Sequence, residues 1–277
     1  MDSPQTGEPI NRKRILLTGA AGRVGCRVRP LLQSRYALRL CDLKPMEPIA
    51  ADDEILVGDL ADPEMARAAV KDVSAVVHLA GLVSPSVSFE ETLAPNYRAV
   101  LSLLEACRLA SVGRFVFASS HHIVGLYPPG SLTAAAPPAP DGFYGLSKAF
   151  GEAACALYSR RFGLGVLIVR IGNADPTVVD GRRERLWVSD RDLVQLFTLG
   201  IERSELNCET VYGSSNCPDA FFPNEEARQL GYLPVDHAAA FRAENFLSLS
   251  AMSAAEGAHY IGGPFATAPL PEPFRLS

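Results

Sequence analysis

Short apolar runs alternate with longer amphipathic stretches from Arg14 onward, a pattern typical of βαβ units. Several of the runs are apolar at nearly every position, which indicates strands covered by helices on both faces. The predicted strands span residues 14–18, 37–41, 54–57, 75–79, 114–118 and 166–171. The pattern therefore predicts an α/β fold built on a doubly wound parallel sheet.

The amphipathic stretches between these runs have apolar residues at helical spacing. They predict helices over residues 22–33, 63–70, 90–110 and 144–162. Beyond Gly172 the pattern is irregular, and it predicts a helix over 190–201, a short strand near 210–212 and a last helix over 237–249. We therefore expect residues 173–277 to form a small interleaved C-terminal lobe carrying the final sheet strand and a C-terminal helix. Residues 1–13 are polar and are expected to form a disordered leader.

Charge and composition narrow the classes of partner. The chain has 277 residues and a formal net charge of −5, and its 26 basic residues are scattered rather than clustered. This distribution argues against nucleic acid or a membrane surface as a partner. No apolar run is long enough to span a bilayer, and the six cysteines form no CxxC pair. We expect reduced, buried thiols and a cytoplasmic protein.

A glycine-rich turn follows the first predicted strand and leads into a helix. Gly19 permits a tight turn, Gly22 lets the backbone approach a pyrophosphate, and Gly25 allows close packing of helix on strand. The alternative is a flexible turn without a ligand. Asp42 favours the nucleotide site, because it ends the second strand about 20 residues later, where a carboxylate can accept both ribose hydroxyls of NAD.

Two further strand ends fit the same cofactor. Asp59 closes the third strand, where it could accept the adenine amino group or simply cap a turn. His78 is expected to be a packed core histidine, and the small residues after it leave room for the cofactor. Residues 14–172 are therefore predicted to form a Rossmann-type NAD-binding domain.

The catalytic candidates are a tyrosine and a lysine on one helix face. Tyr144 and Lys148 lie four residues apart, which is one helical turn. An ammonium group, together with the positive charge of oxidised nicotinamide, favours a phenolate that could act as a general base. Ser120 ends the fifth strand and could bind the same substrate oxygen. Considered singly, Tyr144 could be an exposed tyrosine on a helix and Ser120 a capping serine. The predicted NAD contacts are Gly19, Gly22, Arg23, Val24, Gly25, Asp42, Leu43, Asp59, Leu60, Leu79, Tyr144 and Lys148.

This ordered set of motifs resembles the extended short-chain dehydrogenase/reductase family over nearly the whole chain. The segments FASSHHIVGLYP at 117–128, PDGFYGLSKAFGE at 140–152 and VRIG at 169–172 are similar to those of uronate dehydrogenases. That resemblance implies oxidation of the C1 hydroxyl of a cyclic hexuronic acid, glucuronate or galacturonate, to an aldarolactone. Tyr144 would be the general base and NAD would receive the hydride.

The same resemblance implies a set of substrate contacts. In that family an arginine holds the substrate carboxylate. It lies ten residues after the glycine of Arg-Ile-Gly and five residues before a tryptophan, and Arg182 has this position here. His121 and Asn173 depart from the residues usual in the family, Asn and Ser, at positions expected to line the sugar hydroxyls. The implied substrate contacts are Ser84, Ser120, His121, His122, Tyr144, Asn173, Arg182 and Phe265.

Other interpretations stay open at this point. A sugar or sugar-nucleotide epimerase or dehydratase would use the same cofactor, tyrosine and lysine, although the short later third leaves little room for a nucleotide diphosphate. A regulator that has lost activity is the third hypothesis, which the intact Ser120, Tyr144 and Lys148 oppose. No metal is expected, because adjacent His121 and His122 at a strand end should point in opposite directions. The resemblance also implies a homo-oligomer.

Overall fold

The computed structural model describes residues 12–253 and 259–274. Seven strands form a parallel sheet in the order β3-β2-β1-β4-β5-β6-β8, and two more, β7 and β9, pair separately. The strands are β1 (Arg14–Thr18), β2 (Ala37–Asp42), β3 (Glu54–Val57), β4 (Ala75–His78), β5 (Arg114–Ser120), β6 (Gly165–Ile171), β7 (Val178–Asp180), β8 (Cys208–Gly213) and β9 (Arg242–Leu247). The predicted fold class, an α/β doubly wound parallel sheet, is confirmed.

Helices cover both faces of the large sheet. They are α1 (Gly25–Gln33), α2 (Pro63–Val70), α3 (Phe89–Thr92), α4 (Ala99–Leu109), α5 (Phe143–Phe162), α6 (Gly181–Glu184), α7 (Asp190–Glu202), α8 (Glu225–Gln229) and α9 (Pro264–Thr267). Helices α1 and α7 bury their apolar residues in one core cluster, while α2, α4 and α5 contribute to the other. Within β1, Ile15 and Leu17 belong to the first cluster and Leu16 to the second, because successive side chains on a strand point to opposite faces. Burial on both faces explains why the strand is apolar throughout.

The strand order reverses between β1 and β4, which are parallel neighbours with Thr18 opposite His78. Connections from these two strands leave toward opposite sides of the sheet and open a crevice at their carboxyl ends. Ligands of open α/β sheets bind at such a point. The topology therefore places the glycine turn after β1 and the loop after β4 on the two sides of one binding crevice.

One predicted helix is wrong. Residues 237–249 form a 3₁₀ turn, Ala238–Phe241, followed by β9, which pairs with β7. Residues Val178 and Asp180 of β7 pair with β9. This strand pairing stabilises the segment more than the helix propensity of its alanine-rich sequence would stabilise a helix. The predicted short strand and the helix over 190–201 are present, as β8 and α7.

The long helix predicted over 90–110 is interrupted. A π-helical segment, Leu93–Arg98, separates α3 from α4. Pro95 lies inside it, and because proline has no backbone N–H, a regular hydrogen-bond ladder cannot pass through this position. The wider turn brings Asn96 into the protein interior.

The chain ends are only partly covered. Residues 1–11 of the predicted leader lie outside the described residues, whereas Arg12 donates to the carbonyl of Gln33 at 2.6 Å and pairs with Asp52. The division into residues 14–172 and 173–277 stays a prediction. Cys26 is exposed, so the prediction of buried thiols is wrong at that position. No helix among the described residues is long and apolar enough to cross a membrane.

Candidate active site

The glycine turn has the geometry that a bound dinucleotide requires. Gly19 has a φ of +67°, and a Cβ there would lie 2.7 Å from the amide nitrogen of Ala80 in the loop after β4. A Cβ at Gly25 would lie 2.1 Å from the carbonyl oxygen of Gly19, so α1 begins directly against the turn. Gly22 is exposed at the tip. The turn thus offers an accessible backbone and a helix N-terminus to an anion.

Asp42 holds its carboxylate beside this turn. One oxygen accepts the amide N–H of Ala21 at 3.0 Å and the other accepts that of Lys44 at 3.1 Å. The group is half-buried at the end of β2. Together with the open glycine tip, this placement fits the ribose and pyrophosphate of NAD. The role of Asp42 toward the cofactor remains a proposal, as do those of the other predicted contacts.

The other predicted cofactor contacts lie around the same crevice, with different degrees of access. Asp59 is exposed and accepts the amide of Ala61 at 2.9 Å, which is the turn-capping role foreseen as its alternative. Arg23 pairs with Asp175, which joins the glycine turn to the segment after β6. The remaining side chains range from buried to exposed: Leu60 is buried, Val24 and Leu79 are half-buried and Leu43 is exposed.

The predicted catalytic residues come together in the structure. Lys148 Nζ lies 5.8 Å from the centroid of the Tyr144 ring and donates to the carbonyl oxygen of Ala118 at 2.8 Å. Ser120 lies at the last position of β5, close enough to Tyr144 for its hydroxyl to lower the pKa of the phenol, and its Oγ accepts the amide N–H of His122 at 3.2 Å. The carboxyl end of β5 and the first turns of α5 therefore place a phenol, an ammonium and a hydroxyl in one group.

Burial controls the protonation of this group. Burial raises the pKa of Tyr144 to about 12, against the lowering effect of the nearby Ser120 hydroxyl. Burial also lowers the pKa of Lys148 to about 8. Without a ligand, the phenol of Tyr144 is therefore protonated at neutral pH. The predicted lowering of its pKa requires a further positive charge nearby.

Asn96 is a residue of this site that the sequence analysis missed. Its side-chain nitrogen donates to Ser147 Oγ at 2.8 Å and to the carbonyl of Leu82 at 3.0 Å, and its oxygen accepts the amide of Leu82 at 2.7 Å. It thereby ties the loop after β4 to the helix that carries Tyr144 and Lys148. The sequence signal that could have indicated Asn96 is its position directly after Pro95, inside an otherwise apolar helical stretch.

The two adjacent histidines do not point in opposite directions, so that prediction is wrong. Their ring centroids are 4.1 Å apart. The strand ends at Ser120, and His121 opens a 3₁₀ turn, His121–Val124, in which the alternation of a strand no longer holds. Among residues 12–253 and 259–274, no group of three or more His, Cys, Asp or Glu side chains is placed to hold a metal ion.

His122 is held from two sides. Its Nδ1 lies 2.6 Å from Oδ2 of Asp141, and its ring stacks on Phe265 with centroids 4.0 Å apart. The Phe265 ring also lies edge-on to Tyr144, at 6.3 Å between centroids. Phe265 comes from α9, in a segment that crosses back over the carboxyl end of the sheet, where the Ile261 amide donates to the carbonyl of Tyr127 at 2.9 Å. The prediction that these residues share a pocket with Tyr144 agrees with this arrangement. Asp141 is a second residue that the sequence analysis missed.

Arg182 differs from the other two arginines of its basic run. Arg183 pairs with Asp180 and Arg185 with Asp219, whereas Arg182 is buried, with 4 % of its surface exposed. Its Nη1 donates to the carbonyl of Ile261 at 2.7 Å, and its buried Nε has no hydrogen-bond partner in the part of the chain that the structure describes. Burial lowers the pKa of Arg182 to about 10, so the guanidinium stays charged at neutral pH.

Several buried polar atoms of the predicted substrate residues have no hydrogen-bond partner among the described residues. His121 Nδ1 lies 3.1 Å from the carbonyl oxygen of Ile171, which only accepts, so its unpartnered Nε2 is an acceptor. These atoms are His121 Nε2, Asn173 Oδ1 and Arg182 Nε. Because burying such atoms unpaired is costly, this set indicates a polar ligand with hydroxyl donors and an anionic acceptor.

Ser84 is less well placed. It lies in the loop after β4, and its Oγ is 2.9 Å from that of Ser86. Within the described ranges, the structure gives Ser84 no hydrogen bond to another of the predicted substrate residues. Its role stays a prediction.

Residues 15–175 match the model of the NAD dependent epimerase/dehydratase family. The chain belongs to this family. The match covers the glycine turn, Asp42, Ser120, Tyr144 and Lys148, and membership confirms the predicted NAD-dependent class of enzyme. The epimerase and dehydratase activities in the family's description concern the family at large.

More specific similarity comes from individual proteins. A uronate dehydrogenase of Pseudomonas putida is 39% identical over 267 residues, which cover 95% of this chain and 98% of that protein. The crystal structure of a uronate dehydrogenase mutant from Agrobacterium tumefaciens, complexed with NAD, superimposes with a TM-score of 0.86 at 34% identity, over 94% of this chain and 98% of the other. The resemblance to uronate dehydrogenases is therefore confirmed.

A relative with a different printed activity is also similar. An NAD-dependent glucose-6-phosphate dehydrogenase of Haloferax volcanii is 34% identical over 252 residues, which cover 83% of this chain and 96% of that protein. The scaffold is thus shared by enzymes named for an acidic sugar and for a phosphorylated sugar. The residues of the pocket, rather than the fold, must discriminate between these substrates.

Proposed function

We propose that this chain oxidises the C1 hydroxyl of a cyclic hexuronic acid, glucuronate or galacturonate, to the aldarolactone with NAD as oxidant. The observation that carries the proposal is the buried Arg182, whose Nε has no partner in the described structure and whose neighbours belong to the pocket of Tyr144. A planar guanidinium is well suited to a carboxylate. The uronate dehydrogenases among the relatives support the same substrate class.

The proton of the C1 hydroxyl goes to Tyr144. Ser120, whose hydroxyl lies near Tyr144, orients the substrate oxygen between them. Bound NAD supplies the acceptor for the hydride leaving C1 and a positive charge beside the phenol. Loss of the hydroxyl proton and of the C1 hydride converts the cyclic hemiacetal to a lactone, so one proton and one NADH are formed for each lactone.

Lys148 has two proposed tasks. Its ammonium lies close enough to the Tyr144 ring to stabilise a phenolate, and it is anchored by Ala118 at the end of β5. Its second task would be to bind the ribose of NAD. Asn96 supports this geometry, because it hydrogen-bonds both Leu82 and Ser147, the residue before the lysine.

The carboxylate of the sugar acid would accept from the Arg182 guanidinium. His121 Nε2 and Asn173 Oδ1 would accept hydrogen bonds from sugar hydroxyls, and Phe265 would cover the ring from the other side. This assignment gives partners to buried atoms that otherwise have none. It also explains why the pocket combines the Arg182 guanidinium with several acceptors.

Two other activities are less well supported. A sugar phosphate is disfavoured because Arg183 and Arg185 are already paired, which leaves one guanidinium for a dianion. An epimerase or dehydratase shares the family, but a dehydratase needs acidic residues beside the catalytic serine. Here His121 and His122 follow Ser120, and burial lowers the pKa of both histidines, to about 3 for His122. They are therefore neutral and not acidic groups at neutral pH.

The test is NADH formation by the purified protein with glucuronate, galacturonate, glucose and glucose 6-phosphate, each with NAD and with NADP. We expect NADH from at least one uronate, with kcat/KM well above that for glucose and for glucose 6-phosphate. Higher kcat/KM with glucose 6-phosphate, or no NADH from either uronate, would refute the proposal. The second result would favour an epimerase, which forms no net NADH.

We also propose that the enzyme is a cytoplasmic homo-oligomer. Helices α4 and α5 expose a group of apolar side chains on one side of the sheet: Leu101, Leu109, Leu157 and Phe162. Apolar side chains grouped on a surface favour association. Light scattering of the purified protein tests this: a mass that is a multiple of 29.7 kDa is expected, and a single-chain mass would refute it.

A further inference from the structure

Asp141 is a buried acid that the reaction scheme above does not use. It lies three residues before Tyr144, and its side chain is fully buried. Its Oδ2 is 2.6 Å from Nδ1 of His122. The structure thus contains a carboxyl–imidazole pair next to the catalytic tyrosine.

Two glycines allow the carboxyl group to reach this position. A Cβ at Gly125 would lie 1.9 Å from Asp141 Oδ2, and a Cβ at Gly262 would lie 2.0 Å from the same atom. The Gly262 amide also donates to the carbonyl of Gly125 at 2.9 Å. The turn after β5 and the segment carrying Phe265 therefore close around the Asp141 carboxyl group and leave it little freedom to move.

His122 is equally constrained. Its ring stacks on Phe265 at 27° between planes, and its side chain is 10 % exposed. Because Nδ1 is engaged by Asp141, Nε2 is the ring nitrogen left for a ligand. An ionised carboxylate only accepts hydrogen bonds, so it keeps the proton on Nδ1 and makes Nε2 an acceptor.

We propose that Asp141 is a positioning residue that fixes the ring and the tautomer of His122, so that Nε2 of His122 accepts a hydrogen bond from a hydroxyl of the bound sugar. The inference rests on the proposed function for the identity of the ligand. It assigns Asp141 no contact with the substrate. The pair acts in substrate binding, because Tyr144 remains the base.

The first test reads the tautomer directly and needs no substrate. Nitrogen NMR of protein labelled at its five histidines distinguishes Nδ1–H from Nε2–H imidazole, and His122→Gln identifies the signal of His122. We expect the Nδ1–H tautomer in the wild type at pH 8. An Nε2–H tautomer there would overturn the proposal, whatever any Asp141 variant does.

The second test uses Asp141→Asn, which keeps the size of the side chain but can donate to Nδ1. We expect the tautomer to switch to Nε2–H and the KM for the preferred uronate to rise about 5- to 100-fold, the usual range for one mispaired buried group. The Kd for NAD should stay within twofold. A KM equal to that of the wild type, with the tautomer unchanged, would overturn the positioning role.

The controls separate this inference from the proposed function. Asp219→Asn removes an exposed carboxylate that pairs with Arg185 away from the pocket, and it should leave the KM and the tautomer unchanged. If the tautomer behaves as expected but no uronate is oxidised, the proposed function has failed and the Asp141–His122 relation stands. If a uronate is oxidised but His122 has the Nε2–H tautomer, the proposed function stands and the Asp141–His122 relation has failed.

Discussion

Arg182 donates a hydrogen bond to the carbonyl oxygen of Ile261, at 2.7 Å from its Nη1. This bond joins α6 to the segment that carries Phe265, four residues later. The same guanidinium packs against Gly263, where a Cβ would lie 2.5 Å from Nε. The candidate carboxylate-binding residue is therefore hydrogen-bonded to, and packed against, the segment that carries Phe265.

Tyr144→Phe should abolish proton abstraction while leaving the pocket intact. We expect kcat to fall by about 10²- to 10⁴-fold, the usual contribution of a general base. The Kd for NAD, measured by titration of intrinsic fluorescence, should change little. Tyr158→Phe, on the same helix but hydrogen-bonded to Glu105, is the matched control. A Tyr144→Phe enzyme with more than a tenth of the wild-type kcat would contradict the assignment.

Asp42→Ala should weaken NAD binding and relax discrimination against NADP. Loss of hydrogen bonds from a charged acceptor to the ribose is expected to raise the Kd for NAD by about 10- to 150-fold. Removal of the carboxylate should bring the Kd for NADP closer to that for NAD, because it no longer repels a 2′-phosphate.

The control for Asp42 must separate cofactor binding from turn stability. Asp53 also accepts two backbone amides, those of Ile49 and Ala50, in a loop outside the crevice. Asp53→Ala should therefore reproduce any loss of stability without the loss of NAD affinity. Equal changes in Kd for the two variants would show that Asp42 acts only on the backbone.

Gly25→Ala should displace the start of α1 from the glycine turn. Its Cβ would overlap the carbonyl oxygen of Gly19, and overpacking of this kind costs about 1–3 kcal/mol of the free energy of unfolding. NAD affinity should fall as well, because the helix N-terminus moves away from the pyrophosphate.

Gly113→Ala is the control for this substitution, since a Cβ there meets nothing within 4 Å. Urea unfolding and NAD titration of the two variants provide the comparison. A Gly25→Ala protein with wild-type stability and wild-type NAD affinity would contradict the proposed role of the turn.

Substrate binding should depend on pH through Asp141. Burial raises the pKa of Asp141 to about 7, with His121, His122, Tyr144 and Arg182 as its charged or titratable neighbours. Below that pH the carboxyl group is protonated and can donate to His122 Nδ1, which shifts the imidazole to the Nε2–H form. The KM for uronate should therefore rise as the pH falls from 8 to 6, in steady-state assays.

Asp141→Asn provides the comparison for this pH profile. The amide cannot titrate, so the variant should have a raised KM that stays flat over the same range. A wild-type KM that does not change between pH 8 and 6 would contradict the assigned role of the carboxyl group.

The parts of the fold that follow from local pattern were predictable. β1 and α2 have the predicted bounds, because β1 contains a continuous apolar run buried on both faces and α2 buries Ala66, Ala69 and Val70 at helical spacing. The helix predicted over 237–249 failed because Arg242–Leu247 gains its stability from pairing with Val178–Asp180, about 60 residues earlier. A pairing between such distant segments has no signature in either segment alone.

The candidate site divides in the same way. Gly19, Tyr144 and Lys148 belong to motifs with fixed spacing, so sequence alone indicated them. Asp141 and Asn96 became visible only in three dimensions, because their partners His122 and Ser147 are 19 and 51 residues away. The relative orientation of His121 and His122 could not be predicted either, since it depends on where β5 ends.

The most direct test of the account compares Arg182→Ala with the wild type on a uronate and on the matching neutral sugar. We predict that kcat/KM for glucuronate falls by about 10- to 150-fold, as for loss of a hydrogen-bonded charged partner, while kcat/KM for glucose does not fall. Arg185→Ala, which removes a partly exposed arginine of the same run, should leave both values unchanged. An equal loss on glucuronate and glucose would show that Arg182 supports the fold of the pocket and does not bind a carboxylate.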